Sequence, residues 1–152
     1  LCLMAMLFYG RSPEIDVLRL LKMCVIHDLG EALGGDVPAP AQVGGTAKAV
    51  QERADLLDLI QPLPPVLGQE IVELWDEYEA GDSVEGRLAK GLDKLETILQ
   101  HTQGRNPPGF DYAFNLEYGR RYTSVDPLLA EVRAQLDKET ARLGQSSRAA
   151  HS

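Results

Sequence analysis

Apolar residues recur at three- and four-residue spacing along nearly the whole chain, and the interruptions carry residues that start and stop helices. Leu1 to Phe8 is almost continuously apolar and reads as the second half of a helix. Ser12-Pro13-Glu14 supplies a capping serine, a proline at the first helical position and an acid in the first turn. From Ile15, the residues Leu18, Leu21, Val25, Ile26 and Leu29 predict a helix that ends at Gly34-Gly35. Asp36-Val37-Pro38-Ala39-Pro40 is expected to be turn-like, because each proline restricts its predecessor. A helix is predicted over 46–60 with Ala49, Ala54, Leu57 and Ile60 inward, broken by Pro62, Pro64 and Pro65. The next starts near Val66 and carries Leu67, Ile71, Leu74 and Tyr78. Asp82-Ser83-Val84-Glu85 reads as a capping box with Asp82 at the cap, followed by the stripe Leu88, Leu92, Leu95 and Leu99. A loop over 104–109 leads to a short helix over 112–118. Asp126-Pro127 then opens a final helix through Leu128, Val132, Leu136 and Leu143. There is no alternating strand pattern and no internal repeat. The expectation is an all-α helical bundle of about six to seven helices, one domain over 1–143 and a flexible tail over 144–152.

Composition narrows the function. At 152 residues and 44% hydrophobic content, a core can form without disulfides. Cys2 and Cys24 both lie in apolar helical sequence, as free thiols do in a reducing, cytoplasmic setting. Lys+Arg minus Asp+Glu is 15 − 23 = −8. That balance argues against a nucleic-acid polymer or an anionic membrane as partner. It leaves a small phosphate ester open, because a metal ion can reverse the field at one site. No apolar run approaches the roughly 20 residues of a membrane span.

The stretch Cys24-Val25-Ile26-His27-Asp28-Leu29-Gly30-Glu31 is the chemically informative one. His27 and Asp28 are adjacent, Glu31 is four residues after His27 and so on its helical face, and Asp36 follows the glycine break. An imidazole with several carboxylates is a donor set that divalent transition metals accept. The plainer alternative is a solvated helix end beside a hydrogen-bonded core histidine. Trp75 and Tyr78 read as core contacts, Gly44-Gly45 with Lys48 lacks the ending of a phosphate-binding loop, and Arg120-Arg121 reads as surface.

Taken together, His27-Asp28-Leu29-Gly30-Glu31, Gly35-Asp36 before a proline-containing loop, Lys48 with Glu52, Leu74-Trp75-Asp76-Glu77-Tyr78-Glu79 and Leu92 to Leu99 form an ordered series. The series resembles the HD-domain metal-dependent phosphohydrolases, and within them the 5′-deoxynucleotidase branch, to about Leu143. The resemblance implies a divalent metal cation (Mn, Co, Fe, Ni, Zn or Mg) held by His27, Asp28 and Asp93. It further implies Glu31 and Asp36 as catalytic proton handlers, Lys48 as a substrate contact, a deoxynucleoside 5′-monophosphate substrate and a homodimer. Family members carry one more metal-binding histidine and an arginine that would fall just upstream of Leu1, so the chain reads as truncated. Neither His101 nor His151 stands in for that histidine. Another phosphohydrolase specificity, for a different nucleotide or small phosphate ester, and a non-catalytic scaffold with this fold are the alternative readings.

Overall fold

The computed structural model describes residues 1–35 and 45–149, and the described residues form helices and turns without a strand. In chain order the helices are α1 (Cys2–Tyr9), α2 (Val17–Ile26), α3 (Glu31–Gly34), α4 (Gly45–Ile60), α5 (Pro65–Ala80), α6 (Val84–Gln103), α7 (Tyr112–Glu117), α8 (Arg120–Thr123) and α9 (Pro127–Ala149). The all-α expectation is met, the short helix expected over 112–118 is present as α7, and the one-turn helices α3 and α8 are additional.

Helix α6 is the centre of the bundle and packs against α1, α2, α5, α8 and α9. Its inward stripe Leu88, Leu92 and Leu95 meets Leu20 and Met23 of α2, Leu74 and Trp75 of α5, and Leu129 of α9 in one buried cluster. Leu92, Leu95, Leu20, Met23 and Leu129 are wholly excluded from water. A side chain of that size gains about 1.5–3 kcal/mol on full burial. Two glycines allow the close packing. A Cβ on Gly91 would lie 2.8 Å from the Tyr122 carbonyl oxygen, and one on Gly119, at φ 68°, would lie 2.6 Å from Lys94 Cβ.

Several local expectations shift along the chain. Asp16 rather than Ser12 caps α2, its carboxylate accepting from the Arg19 amide at 2.9 Å. Ser83 rather than Asp82 caps α6, accepting from the Gly86 amide at 2.9 Å. Glu85 closes no capping box, because its carboxylate accepts from the Asp16 amide 69 residues earlier in the chain. The buried face of α4 is set by Leu56 and Ile60, whereas Leu57 is exposed. Ile98, not Leu99, completes the inner stripe of α6. Helix α9 runs past Gly144 to Ala149.

The largest feature outside the sequence reading is Arg133, a buried side chain of α9. Its guanidinium donates to the carbonyls of Asn115, Leu116 and Tyr118 at 2.7–2.9 Å and to Asp137 at 2.6 Å. Those carbonyls lie at the end of α7, where a helix leaves its last acceptors unpaired. Arg133 therefore ties α7 onto α9.

Candidate functional site

Helix α2 ends where the informative motif begins. The His27 amide still bonds the Met23 carbonyl, but the next bonds run from Leu29 to Ile26, Glu31 to Asp28 and Ala32 to Leu29. These three-residue bonds tighten the chain into a turn. The single helix expected through Gly34 is thus split into α2 and α3. Gly30 makes the split compact: a Cβ there would sit 2.8 Å from the Glu52 carbonyl oxygen of α4. The turn bearing His27 and Asp28 is pressed onto α4, and any side chain at position 30 would push the two apart.

His27 has its imidazole mostly buried. Its Nδ1 lies 3.1 Å from the Cys24 carbonyl, and since a carbonyl only accepts, Nδ1–H is the donor. In the neutral ring that leaves a lone pair on Nε2. Nε2 faces Asp28 Oδ2 at 3.1 Å and Asp93 Oδ1 of α6 at 3.9 Å. Three acceptor-type groups facing one another repel unless a cation lies among them. A proton on Nε2 is one solution. Burial pulls the His27 imidazolium down, but the hydrogen bond to Asp28 and the charges of Asp28 and Asp93 outweigh it and hold the ring above its ordinary value. Reciprocally, the His27 hydrogen bond holds the Asp28 carboxyl below its usual range, and the charges of Lys94 and Lys48 act in the same direction.

A divalent ion is the other solution, and the donor chemistry fits one. Two donors each about 2.1 Å from a common ion lie about 3.0–3.4 Å apart at tetrahedral or octahedral angles. The His27–Asp28 separation falls in that interval and the His27–Asp93 separation lies just beyond it. As they stand, no three His, Cys, Asp or Glu side chains among the described residues converge closely enough to hold an ion.

The far side of Asp93 is anchored. Its Oδ2 accepts from Lys94 Nζ at 2.7 Å and from the Tyr78 hydroxyl at 3.2 Å. Burial opposes the Lys94 charge, but the Asp93 carboxylate and their hydrogen bond raise its pKa above the ordinary value. Tyr78 also sets its ring edge-on against His27, with centroids 5.3 Å apart. Tyr78, expected in the core, is buried there and also holds two site residues at once. The signal for this second role was its place on the helix that packs against both α2 and α6, which the chain pattern alone does not show.

Glu31 begins α3 and pairs with Lys48 of α4 at 2.8 Å. The same Lys48 ammonium lies 2.6 Å from Glu52 Oε1. Lys48 is thus shared between two carboxylates, which, against the cost of burial, raise its pKa. Asp36 lies outside the described residues. His101 is turned elsewhere, its Nδ1 beside the Asn115 amide and its ring against Phe110. Glu77 pairs with Arg19 rather than joining the site. No helix among the described residues is long and apolar enough to cross a membrane.

Comparison with known proteins follows the same stretch of chain. A sequence profile for the HD domain matches residues 1–133. The chain is 36% identical over 97 residues to the 5′-deoxynucleotidase HDDC2 of Dictyostelium discoideum, covering 64% of this chain and 51% of that protein. It is 35% identical over 102 residues to the Bos taurus 5′-deoxynucleotidase HDDC2, covering 65% and 50%. The chain spans about half the length of the curated relatives it matches. The crystal structure of a predicted metal-dependent phosphohydrolase from Magnetospirillum magnetotacticum MS-1 superposes with a TM-score of 0.74 at 28% identity, covering 94% of this chain and 76% of that one.

Proposed function

The chain belongs to the HD-domain family, and on that footing we propose that it is a metal-dependent phosphohydrolase that removes the 5′-phosphate from deoxynucleoside 5′-monophosphates. The observation that carries the reading is the orientation of His27. Its Nδ1–H is committed to the Cys24 carbonyl, so Nε2 is aimed at the carboxylates of Asp28 and Asp93. A second-atom hydrogen bond of this kind fixes the tautomer and ring direction of metal-binding histidines. The curated relatives named above are 5′-deoxynucleotidases, which supports the substrate class.

In this reading His27, Asp28 and Asp93 hold a divalent cation, whose chemistry when bound is Lewis acidity toward a phosphoryl group. The protein's own residues do the rest. Tyr78 and Lys94 fix the Asp93 carboxylate from behind, so that its other oxygen faces His27. Glu31 is the proton handler beside the reacting group, and Lys48 positions it, since that ammonium already bridges Glu31 and Glu52. Asp36 shares the proton-handling role by resemblance to the family. A cytoplasmic homodimer belongs to the same reading.

The test is phosphate release from dAMP, dTMP, AMP, UMP and a 3′-monophosphate with Mn²⁺ or Co²⁺, alongside elemental analysis of the wild type, His27→Ala and Asp28→Ala. The expected outcome is hydrolysis of the 5′-deoxynucleotides, with metal and activity lost together in both variants and helix content retained. Unchanged metal content in the variants, or no hydrolysis of any 5′-monophosphate by the wild type, overturns it.

A further inference from the structure

A second concavity lies on the far side of Tyr78 from the chemistry above, and its charge is opposite to that of the chain. It is an open hollow of about 410 Å³, lined by Arg87 and Lys90 of α6, Arg121 and Tyr122 of α8, and Glu79 with Gly81 at the end of α5. Three cations and one carboxylate give it a formal charge of +2, in a protein whose net charge is −8.

Most other cations of the described residues are neutralised by carboxylates. Arg19, Arg53, Arg120, Arg133, Arg142, Lys22, Lys48 and Lys94 each have an acidic partner within ion-pair distance. Arg87 and Arg121 do not. Arg87 spends one Nη1–H on the Asp82 carbonyl at 2.6 Å, and Arg121 lies over the Tyr122 ring, 4.4 Å from its centroid, with its Nη2 on the Tyr122 hydroxyl. Each guanidinium keeps free N–H donors, and both line the same hollow. Lys90 forms the floor. Its ammonium is largely buried, 3.1 Å from Glu79 Oε1 and 4.4 Å from the centroid of the Tyr78 ring.

Two planar guanidinium forks with unfilled donors above a buried ammonium can each grip a pair of oxygens of a tetrahedral phosphate dianion. The volume lies in the range of small-ligand sites and leaves room for more than a bare phosphate. The Tyr122 ring forms a flat wall beside it. We propose that this pocket is a second anion site that binds a phosphate monoester or free phosphate through Arg87, Lys90 and Arg121. It lies outside the His27–Asp28–Asp93 cluster, and Tyr78 touches both, with its ring under Lys90 and its hydroxyl on Asp93. Because binding here needs no metal and no turnover, the inference stands apart from the phosphohydrolase reading.

The test is a titration of the ¹⁵N-labelled protein in EDTA, first with inorganic phosphate and then with dAMP, following the amides of Gly81, Arg121 and Tyr122. Wild type, Arg87→Gln/Arg121→Gln and Asp28→Asn are compared. Both arginines are exposed, so the double variant keeps its core. Saturable shifts at these three amides are expected, with affinity weakened about tenfold or more in the double variant and unchanged in Asp28→Asn. Tighter binding of dAMP than of phosphate assigns the ligand as a nucleotide, and equal binding assigns it as free phosphate; either supports the site. Absence of saturable shifts, equal affinity in the double variant, or loss of binding in Asp28→Asn overturns it.

Discussion

Replacing Tyr78 by phenylalanine removes one oxygen atom and nothing else from the centre of the candidate site. The ring remains edge-on to His27, so packing is kept, while Asp93 Oδ2 loses the hydroxyl that donates to it at 3.2 Å. Hydrogen bonds to charged groups contribute about 1.5–3 kcal/mol when well formed. This one is long, and Lys94 still donates to the same oxygen at 2.7 Å, so a loss of about 1 kcal/mol is expected. In a chain of this size that lowers Tm by about 2–4 °C, measured in chelator. The effect on ion binding should be larger in proportion, because the lost bond sets the direction of a ligand rather than its presence. Groups behind the ligands typically change metal affinity about 10–100-fold. Burial, with the charges of Asp93 and Asp28, pushes the Tyr78 hydroxyl far above its ordinary value, so it remains a donor across the working pH range. The weakening should therefore be the same at pH 6.5 and pH 8.5. Calorimetric titration with Mn²⁺ or Co²⁺ reads it directly. A variant that binds either ion within twofold of the wild type would refute the claim that Tyr78 orients Asp93.

The other predictions concern proton handling, the α7–α9 corner and the thiol of α2. Glu31→Gln should keep its metal but lose turnover by about 10²–10⁴, read as phosphate release with metal content measured on the same sample; wild-type rates would leave Glu31 as a structural partner of Lys48. Arg133→Met should cost about 3–5 kcal/mol in urea unfolding, because Asp137 and the end of α7 lose a buried partner; a cost under about 1 kcal/mol would contradict the buried contacts described. Burial pushes the Cys24 thiol up to about 12 from an ordinary 9.0. The folded state therefore keeps a proton that the unfolded chain releases, and stability should fall as pH rises from about 9 to about 12. Cys24→Ala should remove that part of the alkaline slope, and an unchanged slope would place its origin elsewhere.

The fold was legible in this sequence wherever one face of a helix meets one core. The stripe Leu88, Leu92 and Leu95 and the opening of α9 at Asp126-Pro127 came directly from periodicity and capping chemistry. Departures occurred where a side chain answers to a distant element. Glu85 was expected to close a local capping box and instead reaches Asp16; the turn at His27–Gly30 replaces a continuous helix because α4 presses on Gly30. At the site, His27, Asp28 and Asp93 come from the resemblance, and the His27 Nε2 faces a carboxylate oxygen of each aspartate, at 3.1 and 3.9 Å. The pairing of Lys48 with Glu31 across two helices and the double contact of Tyr78 were hidden, since neither depends on spacing along one helix. Arg133 was invisible for a similar reason: an arginine in an amphipathic helix normally reaches water, and only the exposed carbonyls of α7 turn it inward.

The range of these contacts along the chain bears on the order in which the molecule assembles. The bonds from Arg133 to Asn115, Leu116 and Tyr118 span only 15–18 residues. The approach of His27 to Asp93 closes a loop of 93 − 27 = 66 residues. By chain entropy alone the longer closure costs about 1 kcal/mol more than the shorter. The α7–α9 corner can therefore form as a local unit while α2 is still searching for α6. The His27 and Asp93 sides of the candidate site then meet after that corner, on a scaffold whose far end is already formed.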